Sequence, residues 1–84
     1  MYSKLDFCSE LLYLITQKKD NRHIVSWADD RYLDYYEELK DEKLLNMLDD
    51  LRYIDEPEFE ISRKEMIQMC IDLLNEYLQE INED

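Results

Sequence analysis

The sequence predicts an all-α fold: a small antiparallel bundle of about four helices, forming a single helical domain over residues 1–84. Three observations carry that prediction. Glycine is absent and proline occurs once, at Pro57, in a chain rich in Leu, Glu, Asp, Lys and Tyr; this composition favours helices over turn-dependent sheets. Apolar residues recur at threes and fours, above all between Met66 and Ile81. Ser and Asp residues stand ahead of these stretches, where a side-chain oxygen can satisfy the unpaired N–H groups of a helix start.

Ser3 is placed to cap a first helix, with Asp6 favourable in its first turn and Lys18 and Lys19 favourable at its last. Leu5, Cys8, Leu12 and Ile15 form its stripe, widened by Phe7, Leu11 and Leu14. Asp20-Asn21 is the expected break, because short polar side chains bond their own backbone there. A second helix follows from about Arg22, with Ile24, Trp27 and Ala28 inward. Tyr32, Leu33, Tyr35, Tyr36 and Leu39 recur on more than one face, so the pattern leaves open whether this helix continues or restarts at Asp29-Asp30.

Asp41 can cap a third helix, in which Leu44, Met47, Leu48, Leu51 and Ile54 align and which should end near Asp55. Pro57 gives Asp55–Glu60 loop character, and Phe59 is expected to tuck back onto the core. The last helix is the longest and organises the rest. Ser62 and Glu65 form a capping box, the Glu65 carboxylate reaching back to the Ser62 N–H, and Ile61 and Met66 a hydrophobic staple. Met66, Met69, Cys70, Leu73, Leu74, Tyr77, Leu78 and Ile81 then make one apolar stripe. The helix should run to Asn82, with Glu83-Asp84 frayed.

Composition also excludes function classes. Without glycine there is no phosphate-cradling loop, dinucleotide fingerprint or calcium-binding turn of the EF-hand type. Cys8 and Cys70 fall on apolar faces and read as buried free thiols rather than a disulfide; with His23 they are too few for a structural zinc site. His23 itself suits a surface or capping role. Adjacent acids such as Asp29-Asp30, Glu37-Glu38, Asp41-Glu42 and Asp49-Asp50 point about 100° apart on a helix and do not converge. No catalytic residue, cofactor or metal is therefore expected. No apolar run reaches the roughly 18 residues of a membrane span, and Asp6 and Glu10 interrupt any signal-like segment. The expected location is cytoplasmic.

The charge distribution is the positive signal. Twenty-two acids against ten bases give a net charge of −12, which repels nucleic acid and anionic lipid and selects basic partners. Residues 1–28 carry +1, residues 29–60 carry −9 and residues 61–84 carry −4. The acidic middle third also holds Tyr32, Tyr35, Tyr36 and Tyr53, with Trp27 just upstream. Tyrosine supplies contact area and a polar end at interfaces, although at the edge of a core it serves equally well with its hydroxyl in water. The candidate partner-binding residues are Asp29, Asp30, Asp34, Glu37, Glu38 and Asp41 as steering charges, around Tyr32, Tyr35 and Tyr36 as a desolvated centre.

The run Leu48-Asp49-Asp50-Leu51-Arg52-Tyr53-Ile54-Asp55, the acidic loop with Pro57, Ile61-Ser62-Arg63-Lys64-Glu65-Met66 and a long terminal helix resemble the helical immunity proteins of bacterial nuclease toxin systems, both colicin-like and contact-dependent. The likeness spans roughly Leu44 to Leu78 and is one of spacing and charge. It implies an inhibitor that lays carboxylates over the basic cleft of a nuclease toxin domain. Two other readings fit the composition: a phage-type nucleic-acid mimic acting on a restriction, CRISPR or transcription enzyme, and a self-associating regulatory bundle paired through Tyr and Leu of the second helix. Whether the chain is a monomer or a dimer is left open at this stage.

Overall fold

Each helix of the computed structural model, which describes residues 1–83, is started by a polar side chain. Ser3 caps α1 (Lys4–Thr16), Asp20 caps α2 (Asn21–Tyr35), Asp41 caps α3 (Glu42–Leu51) and Ser62 caps α4 (Arg63–Asn82). In each case the side chain accepts the N–H three residues on, satisfying one of the donors that a helix start leaves without a partner. The complete capping box is at Ser3, whose N–H donates to Asp6 Oδ2 at 2.9 Å. At Ser62 the expected reciprocal arm is replaced: the hydroxyl, not the backbone N–H, meets Glu65 Oε1 at 3.1 Å.

The chain breaks between α1 and α2 earlier than the polar pair Asp20-Asn21 suggests. Lys18 adopts a left-handed conformation with φ 56°. Its N–H donates to the Ile15 carbonyl at 3.0 Å and that of Lys19 to the Leu14 carbonyl at 3.1 Å, the paired bonds of a Schellman motif. Lys18 and Lys19 therefore lie beyond the last turn of α1, and Asn21 is already helical. α2 runs without interruption through Asp29-Asp30. α3 stops at Leu51 rather than near Asp55, because the Arg52 N–H closes a tighter bond to the Asp49 carbonyl. Ile54 remains buried in the turn that follows.

α1 packs along α4 and α2 along α3. Lys4 reaches Glu80 at one end of the first pair, while Arg63 donates to the Lys19 carbonyl at the other, so the two helices are antiparallel. Arg52 and Asp29 join α3 to the middle of α2, and Lys43 pairs with Glu76 across α3 and α4. The result is a four-helix bundle whose buried centre is Phe7, Cys8 and Leu11 of α1, Ile24 and Ala28 of α2, Leu44, Leu48 and Leu51 of α3 with Ile54, and Met66, Cys70 and Leu73 of α4. The thiols of Cys8 and Cys70 are free, and Cys8 Sγ donates to the Cys70 carbonyl at 3.5 Å. The adjoining Cys8 side chain, together with burial, pushes the Cys70 thiol up from its ordinary pKa.

Two expectations about the core are corrected. Phe59 does not tuck inward: the 3₁₀ turn Pro57–Phe59 holds it 54% exposed against Tyr53. The long stripe of α4 is two rows, since each residue is rotated about 100° from the last. Met66, Cys70, Leu73 and Tyr77 face inward, whereas Leu78 and Ile81 belong with Ile67 and Ile71 on an exposed row.

Candidate protein interface

The thirteen acids of residues 29–60 divide by geometry. Four are in ion pairs: Asp29 and Asp49 with Arg52 at 2.7 and 3.1 Å, Asp34 with Arg31 at 3.8 Å, and Asp41 with Lys4 at 2.8 Å. Asp30, Glu37, Glu38, Glu42, Asp50, Asp55, Glu56, Glu58 and Glu60 are exposed and make no ion pair among the described residues. These nine carboxylates give the bundle a surface with a strong unbalanced negative field.

A line of aromatic contacts runs from the end of α2 to the α3–α4 turn. Tyr36 stacks on Tyr32 with centroids 5.9 Å apart, Arg52 lies over Tyr32 at 4.3 Å and near the Tyr53 ring at 5.6 Å, and Tyr53 meets Phe59 at 6.3 Å. Arg52 is the keystone of this line. Its guanidinium is oriented by Asp29 and Asp49, and its hydrogen bonds to them, above all to Asp29, hold it more firmly protonated than a free arginine. Leu33, on the row that includes Asp30, Asp34 and Glu37, is 62% exposed, a large apolar side chain set among acids.

The residues singled out from sequence fall into three groups. Asp30, Asp34, Tyr36, Glu37 and Glu38 are exposed together along the outer side of α2 and the turn beyond it. Asp29 and Tyr32 are half-buried and support that surface through Arg52. Tyr35 and Asp41 are committed to the fold. Tyr35 turns toward α1 and stacks on Tyr2 at 4.8 Å, on the other side of α2 from Tyr36. Burial alone would raise the Asp41 carboxyl, but Lys4 and the Leu44 N–H hold it below the usual carboxylate range, as befits a cap fixed in an ion pair.

Leu33, Arg52 and Phe59 were not among the residues proposed from sequence. Leu33 had a legible signal, one apolar residue in an otherwise acidic row. Arg52 and Phe59 had none, because their role depends on α3 lying against α2.

A second polar cluster joins α1 to α2. Glu10 Oε1 accepts from the Tyr2 hydroxyl at 2.7 Å, Arg31 Nε at 2.9 Å and Trp27 Nε1 at 3.0 Å. Burial opposes its charge, yet these donors outweigh that effect and keep its pKa below the ordinary value. With every partner internal, Glu10 acts as a structural anchor. His23 is exposed and engaged with Asp20, its Nδ1 2.7 Å from Oδ1. Among the described residues no three His, Cys, Asp or Glu side chains are grouped to hold a metal, and no helix is long and apolar enough to cross a membrane.

Comparison with protein-family models, curated proteins and solved structures gives no significant match.

Proposed function

We propose that this protein is an immunity-type inhibitor, which binds a basic bacterial nuclease toxin domain in the cytoplasm and neutralises it through the acidic, aromatic surface of α2 and the α3–α4 turn. The observation that carries this reading is the occurrence of nine unpaired carboxylates on the elements that present the exposed rings of Tyr36, Tyr53 and Phe59, joined through the half-buried Tyr32 and Arg52. Carboxylates alone steer a cationic partner but contribute little affinity at an exposed rim. Aromatic side chains supply the desolvated centre that an interface needs. Nuclease domains are basic where they hold nucleic acid, so a surface of this chemistry would occupy the substrate cleft. Inhibition then requires no catalysis by this chain.

The same coincidence favours a protein-binding surface over nucleic-acid mimicry. A mimic needs carboxylates spaced as phosphates along an extended path, whereas here the exposed Asp30, Glu37 and Glu38 share α2 and its turn with the exposed Leu33 and Tyr36.

The gene beside this one should encode the toxin, and its purified nuclease domain is the partner to assay. Stoichiometric addition of this protein should abolish nuclease activity, and association should slow as salt is raised. Reversing Asp34 and Glu37 together to lysine should reduce the association rate by about tenfold, and Tyr36→Ala should accelerate dissociation. Full nuclease activity at stoichiometric excess would sink the proposal, and unchanged kinetics in both variants would remove the assigned face.

A further inference from the structure

The two cysteines of the chain, 62 positions apart, come together inside the bundle. Cys8 of α1 and Cys70 of α4 are both buried, and Cys8 Sγ lies 3.5 Å from the Cys70 carbonyl oxygen. A side chain as short as cysteine reaches the backbone of a neighbouring helix only where the two helices approach closely. The side chains of the pair adjoin at that level. Register is held on both sides of them: Lys4 grips Glu80 toward one end, and Arg63 donates to the Lys19 carbonyl toward the other. The thiols are thereby kept opposite one another rather than meeting by chance.

No charged side chain is buried among the described residues, so each thiol is polarised chiefly by the other. Cys70 holds the Cys8 thiol below its ordinary value, while Cys8 and burial push Cys70 up. The pair thus divides its roles: Cys8 gives up the first proton and Cys70 keeps its own. A thiolate, not a thiol, is the nucleophile.

We infer that Cys8 and Cys70 are a peroxide-sensitive dithiol pair, which closes to a disulfide tying α1 to α4. The Cys8 thiolate attacks one oxygen of hydrogen peroxide; the O–O bond breaks, hydroxide leaves, and Cys8 becomes a sulfenic acid. The hydroxide takes the Cys70 proton, and the Cys70 thiolate attacks the Cys8 sulfur. A second hydroxide departs and takes up the proton that Cys8 first released. Two thiols are oxidised and one peroxide is reduced to two waters. Burial makes the first step wait for a local opening that admits the small oxidant. The bond then closes most of the chain into one loop, which constrains the unfolded state. It touches no residue of the acidic surface on α2 and the α3–α4 turn, so it stands or falls independently of the proposed inhibitory role.

Treating the whole reduced protein with hydrogen peroxide in native buffer, followed by peptide mass mapping, tests this directly. The expected product is a Cys8–Cys70 disulfide within one chain, both thiols disappearing together. The melting temperature should rise by at least about 10 °C and fall back with dithiothreitol. Cys70→Ser removes the resolving thiol and should leave a Cys8 sulfenic acid that dimedone traps, with no such rise. Because a core substitution can itself unfold the bundle, the wild-type chain decides. Thiols that survive peroxide in native buffer and cross-link only in urea overturn the pair, as does a disulfide between two chains. Cys8 oxidised to sulfinic acid beside a free Cys70 overturns it equally.

Discussion

Arg31 of α2 grips Glu10 of α1 with two hydrogen bonds, Nε to Oε1 at 2.9 Å and Nη2 to Oε2 at 3.1 Å. Tyr2 and Trp27 donate to the same carboxylate, so one acid of α1 holds two residues of α2 and one of the N-terminal arm. Removing the acceptor strands all three donors in a partly buried setting. Glu10→Ala should therefore destabilise the fold by about 2–3 kcal/mol, lowering the melting temperature by roughly 10 °C or more. Glu10→Gln keeps an acceptor and should cost less. Thermal denaturation of both variants checks the order.

The same site predicts a pH dependence. The Glu10 carboxyl is held below its ordinary value in the fold, so its charged form stabilises the folded state above the unfolded pKa, about 4.3 for glutamate. That contribution disappears as pH falls through the depressed folded value. The stability deficit of Glu10→Gln should accordingly be constant from neutral pH down to about pH 5 and shrink below about pH 4. Urea midpoints for the two proteins across that range measure it; a deficit that persists unchanged in acid would contradict the assignment.

Lys18 ends α1 in a left-handed conformation with φ 56°, which glycine adopts without steric cost and this glycine-free chain must assign to lysine. Lys18→Gly relieves that strain while adding freedom to the unfolded chain, and the expected balance is a gain of about 0.5–1 kcal/mol. Lys18→Val should lose stability, since a β-branched residue resists this region. Denaturant midpoints with unchanged m values would show the two effects cleanly.

Arg52 offsets Asp29 and Asp49 and lies over the Tyr32 ring at 4.3 Å. Arg52→Ala should cost about 1–2 kcal/mol, with part of the loss recovered in high salt as the uncovered acids are screened. Arg52→Lys should restore the charge but not the stacking, because an ammonium group lacks the planar face of guanidinium. A stability series in low and high salt separates the two contributions.

The sequence by itself determined the all-helical class, three of the four caps and most of the core rows, because caps and apolar spacing are local signals that each helix carries alone. It also located the acid excess, since charge is a property of composition. Tertiary structure decided which of those acids are spent. Asp41 and Asp29 look no different in sequence from Asp30, yet the first two meet Lys4 and Arg52 across helix contacts and the third meets water. Tyr35 and Tyr36 are neighbours in the chain, but one stacks on Tyr2 and the other on Tyr32, because adjacent residues at a helix end face different partners. The two rows of α4 merged in the sequence for the same reason: periodicity defines an apolar arc, and the packing of the other helices decides how much of that arc is covered.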